Sequence, residues 1–268
     1  MPIQNVVLNV ADIDRSVDFY TKFLEAEVVG EPTATGAVLD LVTATVELRA
    51  VGVDPATSTW VPDDLQRGFR HVGFKVEAVD PRAAVLKSAD VPFHLDPLDA
   101  EGGVRICFFF DPDGTLLELV QGDLQYATVL DADEVERERA LGVPERPRLD
   151  HVAVTVDDRR RSEAFFRERF GFSFLGTIEQ PHDPRGFSIG YFRSGTTVLE
   201  VFTYRSDTET RAPQLDAPGF AHATLGPGDT DGLSPVATVG PEQVFADENG
   251  FPFSVAGAAE TVTPGPLA

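Results

Sequence analysis

His151-Val152-Ala153-Val154-Thr155-Val156 leads through Asp158 to Ser162, Phe165 and Phe166, and the same order of residues stands near the start of the chain. There Asn5-Val6-Val7-Leu8-Asn9-Val10 leads through Asp12 to Ser16, Phe19 and Tyr20. Ser16 follows Asn5 by eleven positions, as Ser162 follows His151. Two further openings fit the template: His71-Val72-Gly73-Phe74-Lys75-Val76, and His222-Ala223-Thr224-Leu225, where the alternation is already failing. Self-similarity at this scale decides the architecture before any single element does.

Each opening alternates with period two, which predicts a half-buried strand. Apolar residues at helical spacing follow the first and third (Val17, Phe19, Tyr20, Phe23, Leu24; Phe165, Phe166, Phe170), with a serine near the start of each run. A shorter helix is expected over residues 81–89, because proline is tolerated in a first turn. In the fourth unit Gly226-Pro227-Gly228 breaks the chain where a helix should begin. Later in each unit an apolar strand surrounds one polar residue: Val46-Glu47-Leu48, Leu117-Glu118-Leu119, Leu199-Glu200-Val201 and, in the fourth, Phe253-Ser254-Val255.

The chain therefore reads as an α+β protein of four βαβββ modules. Consecutive modules are expected to pair: 1–50 with 68–125 as one domain, and 149–206 with 218–257 as the second (149–257). Residues 126–148 form a charged linker, closing on Pro144-Glu145-Arg146-Pro147 and holding a helical turn or two. Residues 258–268 are a tail of small residues and prolines, expected to be disordered.

Composition bounds the chemistry. The 268 residues carry a formal net charge of −22, which opposes binding to nucleic acid or to anionic lipid. No apolar run approaches a membrane span and the N-terminus lacks a secretory pattern, so the cytoplasm is the default expectation. Cys107 is the single cysteine, so thiolate metal sites and an intrachain disulfide are excluded. Any metal must then be held by histidine and carboxylate. Three of the five histidines fall at one repeated position, and three glutamates at the other. A carboxylate flanked by Leu, Val and Phe is costly to bury unless a cation or a hydrogen-bond donor meets it, and a divalent metal answers that cost.

The strand openings, the Asp/Ser/Phe/Tyr helix pattern and the LLELV and VLEVF strands resemble the vicinal oxygen chelate superfamily, which includes glyoxalase, extradiol dioxygenases and bleomycin-resistance proteins. The resemblance runs from about Ile3 to Ala256. It implies two glyoxalase-like domains, each an eight-stranded cup with its metal held by one residue from each strand opening and one from each late strand. The first domain would offer Asn5, Glu47, His71 and Glu118. The second would offer His151, Glu200 and His222, with Ser254 where a glutamate is usual. A divalent ion (Zn, Ni, Fe(II), Mn or Co), a small-molecule substrate and a lyase or isomerase passing through an enolate or enediolate are implied, with Glu200 and Glu118 as candidates for both ligand and base.

Three departures weigh on this. Asn5 is shorter than the usual glutamine. Ser254 stands where a ring-cleaving dioxygenase has its glutamate, and no tyrosine follows Tyr204, so extradiol cleavage is disfavoured. Arg49 lies two residues after Glu47 on one strand face and can neutralise it. The rival reading is a metal-free binder of a drug or natural product, as in bleomycin-resistance relatives, which Asn5 and Ser254 favour. One working and one vestigial domain fits either reading. Oligomeric state is left open, a homodimer included. His94 and His182 read as solvated loop residues, and Cys107 as a buried apolar one.

Overall fold

The computed structural model describes residues 3–52, 58–239 and 242–257; the expected tail at 258–268 lies outside them. The first module is β1 (Ile3–Val10), α1 (Ile13–Leu24), β2 (Glu27–Thr33), β3 (Gly36–Asp40) and β4 (Thr45–Ala50). The second is β5 (Gly68–Lys75), α2 (Val79–Ser88), β6 (Phe93–Ala100), β7 (Val104–Phe110) and β8 (Leu116–Gln121). The linker adds a short strand, β9 (Thr128–Val129), and the expected helical turns, α3 (Ala132–Arg139). The third module is β10 (Arg148–Thr155), α4 (Arg159–Phe170), β11 (Ser173–Glu179), β12 (Phe187–Ser194) and β13 (Thr197–Tyr204). The fourth has strands alone among the described residues: β14 (Gly219–Leu225), β15 (Ala237–Val239), β16 (Glu242–Ala246) and β17 (Pro252–Val255). Its helix is lost as expected. At Gly228 the chain lies so close to α4 that a Cβ would fall 2.1 Å from Phe170 Cδ1, which leaves no room for a helix.

The sheets join the modules crosswise. One sheet runs β15-β16-β17-β14-β1-β4-β3-β2, and the other β6-β7-β8-β5-β10-β13-β12-β11-β9. The first and fourth modules thus share a sheet, as do the second and third, which corrects the expected pairing of consecutive modules. The physical reason lies in the central strands: β1 takes β14, and β5 takes β10, as antiparallel neighbours. A tandem pattern cannot reveal that choice, because every module offers the same exposed strand edge.

Consecutive modules meet instead through helix-to-turn contacts. Asp12 caps α1 by accepting the Arg15 N–H, and Asp158 caps α4 by accepting from Arg160 and Arg161. The repeated serines face outward from these caps toward the next module's turn. Ser16 donates to Asp113 at 3.1 Å, and Ser162 accepts from Asn249 at 3.4 Å. Those turns, Asp111-Pro112-Asp113-Gly114 and Asp247-Glu248-Asn249-Gly250, are built alike. Asp111 Oδ1 accepts the Asp113 and Thr115 amides, and Asp247 Oδ1 accepts those of Asn249 and Phe251.

Burial pushes both aspartates up to about 6, against the backbone N–H groups that favour their ionised form. The sign follows: a raised carboxyl pKa contributes stability below the ordinary value of about 4, and that contribution is lost as the pH rises through 6. Asp111→Asn should therefore gain on the wild type by up to about 3 kcal/mol between pH 4 and 7. Paired thermal melts at the two pH values measure this, and a pH-independent difference would refute it.

Candidate metal centre

The register of the second sheet places four side chains at one point. His71 and Gly73 alternate onto the same face of β5, and Glu118 on β8 sits beside Gly73. Likewise His151 and Ala153 share a face of β10, and Glu200 on β13 sits beside Ala153. Across the central antiparallel pair, His151 opposes Gly73 and Ala153 opposes His71. Each imidazole thus faces a residue with almost no side chain, which leaves room for both rings to lean inward. At Gly73 the room is absolute: a Cβ there would lie 2.0 Å from His151 Cε1.

The ligand atoms of His71, Glu118, His151 and Glu200 all lie within 4.8 Å of one another, and all four residues are buried. The two Nε2 atoms are 3.1 Å apart. Glu118 Oε2 is 2.9 Å from His151 Nε2 and 3.1 Å from His71 Nε2, while Glu200 Oε2 stands at 3.5 and 3.4 Å. Burial raises Glu118, but hydrogen bonds from His151 and His71 win and hold it down at about 2. Burial likewise opposes a positive His151, yet Glu200, Asp150 and Glu118 outweigh it and raise its pKa well above the ordinary value. The pocket demands positive charge.

A divalent cation would meet that demand. Burying a charged carboxylate costs several kcal/mol unless a cation meets it, and two carboxylates converge here. Two imidazoles and two carboxylates suit Zn, Ni, Fe(II), Mn or Co, and donor separations near 3 Å are those expected around one ion with bonds of roughly 2.0–2.2 Å. The ring orientation is prepared as well. His151 Nδ1 donates to Asp150 Oδ2 at 3.1 Å, so Nε2 is left as the lone-pair nitrogen. Asp150 stays ionised, because burial is outweighed by His151 and by Lys75 and its pKa falls to about 2. His71 Nδ1 is buried without a partner among the described residues, so the second ring has no such brace there.

The cluster lines a cavity of about 240 Å³, walled by Phe108, Phe187 and Phe202. Arg70 stands at its rim, stacked 4.1 Å over Phe202 and bonded to Asp64 at 2.5 Å. His94, expected in a loop, lies on β6 and lines this cavity; from the turn-rich 180–186 segment Gln180 does so, and His182 does not. Cys107 is buried, as expected, with its thiol pushed up to about 12 by burial and by Glu118.

Glu47 and His222 do not join this centre. Both belong to the other sheet, where Val7 opposes His222 and Thr224 opposes Asn5 in place of the two small residues. Arg49 bonds Glu47 at 2.6 Å and Glu242 at 2.8 Å, and Glu242 lies 3.3 Å from His222. A guanidinium therefore balances the charge there. Asn5 Nδ2 donates to Glu47 at 3.2 Å, and Ser254 donates to Thr224 at 3.0 Å. The expected grouping of His151 and Glu200 with His222 is corrected accordingly: their partners are His71 and Glu118. Asp150, Lys75 and Tyr191, the cross-strand neighbour of Glu200, went unread in the sequence. Only the Asp150-His151 dipeptide gave a signal for any of them.

A family model described as the Glyoxalase/Bleomycin resistance protein/Dioxygenase superfamily matches residues 3–119 and 148–237. A putative lactoylglutathione lyase of Brassica oleracea var. gemmifera is 26% identical over 217 residues, 75% of this chain and 65% of its own length. A probable chloroplastic lactoylglutathione lyase of Arabidopsis thaliana is 27% identical over 193 residues, covering 66% and 46%. The chain thus spans less than two thirds of these relatives. The crystal structure of glyoxalase I from Zea mays superposes with a TM-score of 0.67 at 20% identity, covering 95% of this chain and 91% of that one. Among the described residues no helix is long and apolar enough to cross a membrane. With the repeat, the crossed sheets and a family match over most of its length, the chain belongs to the glyoxalase/bleomycin resistance protein/dioxygenase superfamily.

Proposed function

We propose that the chain is a divalent-metal-dependent lyase or isomerase acting on a small substrate with oxygens on adjacent carbons. Its one working centre is His71, Glu118, His151 and Glu200. The observation that carries this reading is the meeting of two buried carboxylates and two imidazoles in a cavity lined by aromatic rings. Bound by these four residues, the ion supplies Lewis acidity toward the substrate oxygens and the charge that develops on them. Glu118, gripped by both rings, anchors the set. Glu200 stands farther from both nitrogens and is the freer carboxylate, so it takes a proton from one substrate carbon and returns it to the next. Phe108, Phe187 and Phe202 give that transfer apolar surroundings, and Asp150 keeps His151 from turning.

Relatives named as lactoylglutathione lyases support the lyase class. A lactoyl group has a hydroxyl and a carbonyl on adjacent carbons, so lactoylglutathione formation from methylglyoxal and glutathione is the assay of choice. Purified protein should retain one divalent ion per chain, lose turnover on chelation and regain it with one of the five metals. Protein that retains no ion at neutral pH and is indifferent to all five would overturn the proposal, and would favour a metal-free binding protein.

A further inference from the structure

A second cleft, open to solvent, lies at the seam between the two sheets, and none of the four donors lines it. Here the start of β5, Gly68-Phe69, meets its own repeat at the start of β14, Gly219-Phe220. The rings of Phe69 and Phe220 stack at 3.9 Å with 2° between their planes. Trp60 stands 6.0 Å from Phe69, and its indole N–H is held by the Phe69 carbonyl at 3.3 Å. The cleft therefore has flat apolar walls that are fixed in place.

Several of its polar atoms are unmet, although Arg67 also donates through Nη2 to the Thr208 carbonyl at 3.3 Å and lies 3.7 Å from Asp157 through Nη1. Arg211 Nη1, Arg67 Nε, Thr115 Oγ1 and Gln66 Oε1 are buried without a hydrogen-bond partner, four of the ten such atoms among the described residues, and all four residues line this cleft. Buried polar atoms are ordinarily paired, so such a concentration points to a missing partner. Burial draws the Arg211 pKa down, with only Asp63 opposing, and the side chain forms no ion pair among the described residues. In a chain with 44 acidic and 22 basic residues, a half-buried guanidinium left unpaired is anomalous. Arginine stays charged in such a setting, so what it lacks is an anion.

We propose that this cleft binds a planar aromatic anion, with its ring against Trp60, Phe69 and Phe220 and its carboxylate or phosphate on Arg211 and Arg67. Thr115 and Gln66 add one hydroxyl and one acceptor for a polar ring substituent. Fork-shaped guanidinium donors match both anion types, and the flat walls match the ring.

Trp60 is the single tryptophan of the chain, so its fluorescence reads this cleft directly. Full-length protein is titrated with benzoate, phenyl phosphate and, as the neutral isostere, benzamide. A saturable change in Trp60 emission is expected for at least one anion, and which of the two binds tighter separates carboxylate from phosphate recognition. Benzamide should bind at least tenfold more weakly. Arg211→Gln, at a side chain that forms no ion pair among the described residues, should melt as the wild type does and lose at least tenfold in anion affinity. No saturable change with either anion up to about 10 mM, equal binding of benzamide, or unchanged binding by Arg211→Gln would each overturn the proposal.

Discussion

Glu118→Ala is expected to fold and to lose its divalent ion, with metal affinity down by more than about a hundredfold and turnover reduced to background. Glu118 Oε2 is the nearest oxygen to both imidazole nitrogens, at 2.9 and 3.1 Å. Its removal halves the negative charge of the set and leaves Glu200, the more distant carboxylate, alone with two rings. Loss of a mere supporting hydrogen bond behind a ligand already costs about 10- to 100-fold in affinity, so a direct ligand should exceed that range. Folding should survive, because the truncated side chain opens onto the cup, where water can enter. Glu47→Ala is the matched control. It frees Arg49 in the other sheet and should leave metal content at one ion per chain. Metal analysis after dialysis against a competing chelator decides the matter, and an E118A protein that keeps its ion with native affinity would sink the assignment.

Gly73→Ala should disable the same centre without touching a ligand. Gly73 lies in an ordinary strand, so its backbone would accept alanine; the difficulty is space. The new methyl would fall 2.0 Å from Cε1, 2.2 Å from Nε2 and 2.5 Å from Nδ1 of His151. The ring must swing away from Glu118 and Asp150 together, and the expected loss of metal affinity approaches that of Glu118→Ala. The stability cost is modest by comparison, about 1–3 kcal/mol, the usual range for overpacking one methyl group. Ala153→Gly, at the matching position opposite His71, adds no atom and should retain the ion. Comparing metal retention with melting temperature separates the two effects. Native metal affinity in G73A would show that the space opposite His151 is not what shapes the site.

Much of this was legible in the residues. Four strand openings in register gave the modules, and the polar residue inside each late apolar strand marked the inner face of each cup. Arg49 could be recognised as a rival to any metal at Glu47, since residues two apart on a strand share a face. The break at Gly226-Pro227-Gly228 correctly removed a helix. What remained hidden was the choice of partner strand. His71 and His151 approach because β5 takes β10 rather than any other opening, and edge-to-edge selection among near-identical strands leaves no periodic trace. His222 was misplaced for that reason alone. Glu242 and Arg211 were hidden for another reason: neither sits at a repeated position, and each matters only through what folding brings beside it.

The crossed pairing carries a consequence for how such a chain can be divided. His71 and Glu118 come from the first half of the polypeptide, and His151 and Glu200 from the second, so neither half owns a complete ligand set. A molecule with the first two modules alone could finish a cup only by borrowing strands from another copy of itself, and both cups would then be identical by symmetry. Joining the halves in one chain removes that obligation. One cup is then free to place Arg49 beside its glutamate while the other brings four donor side chains together.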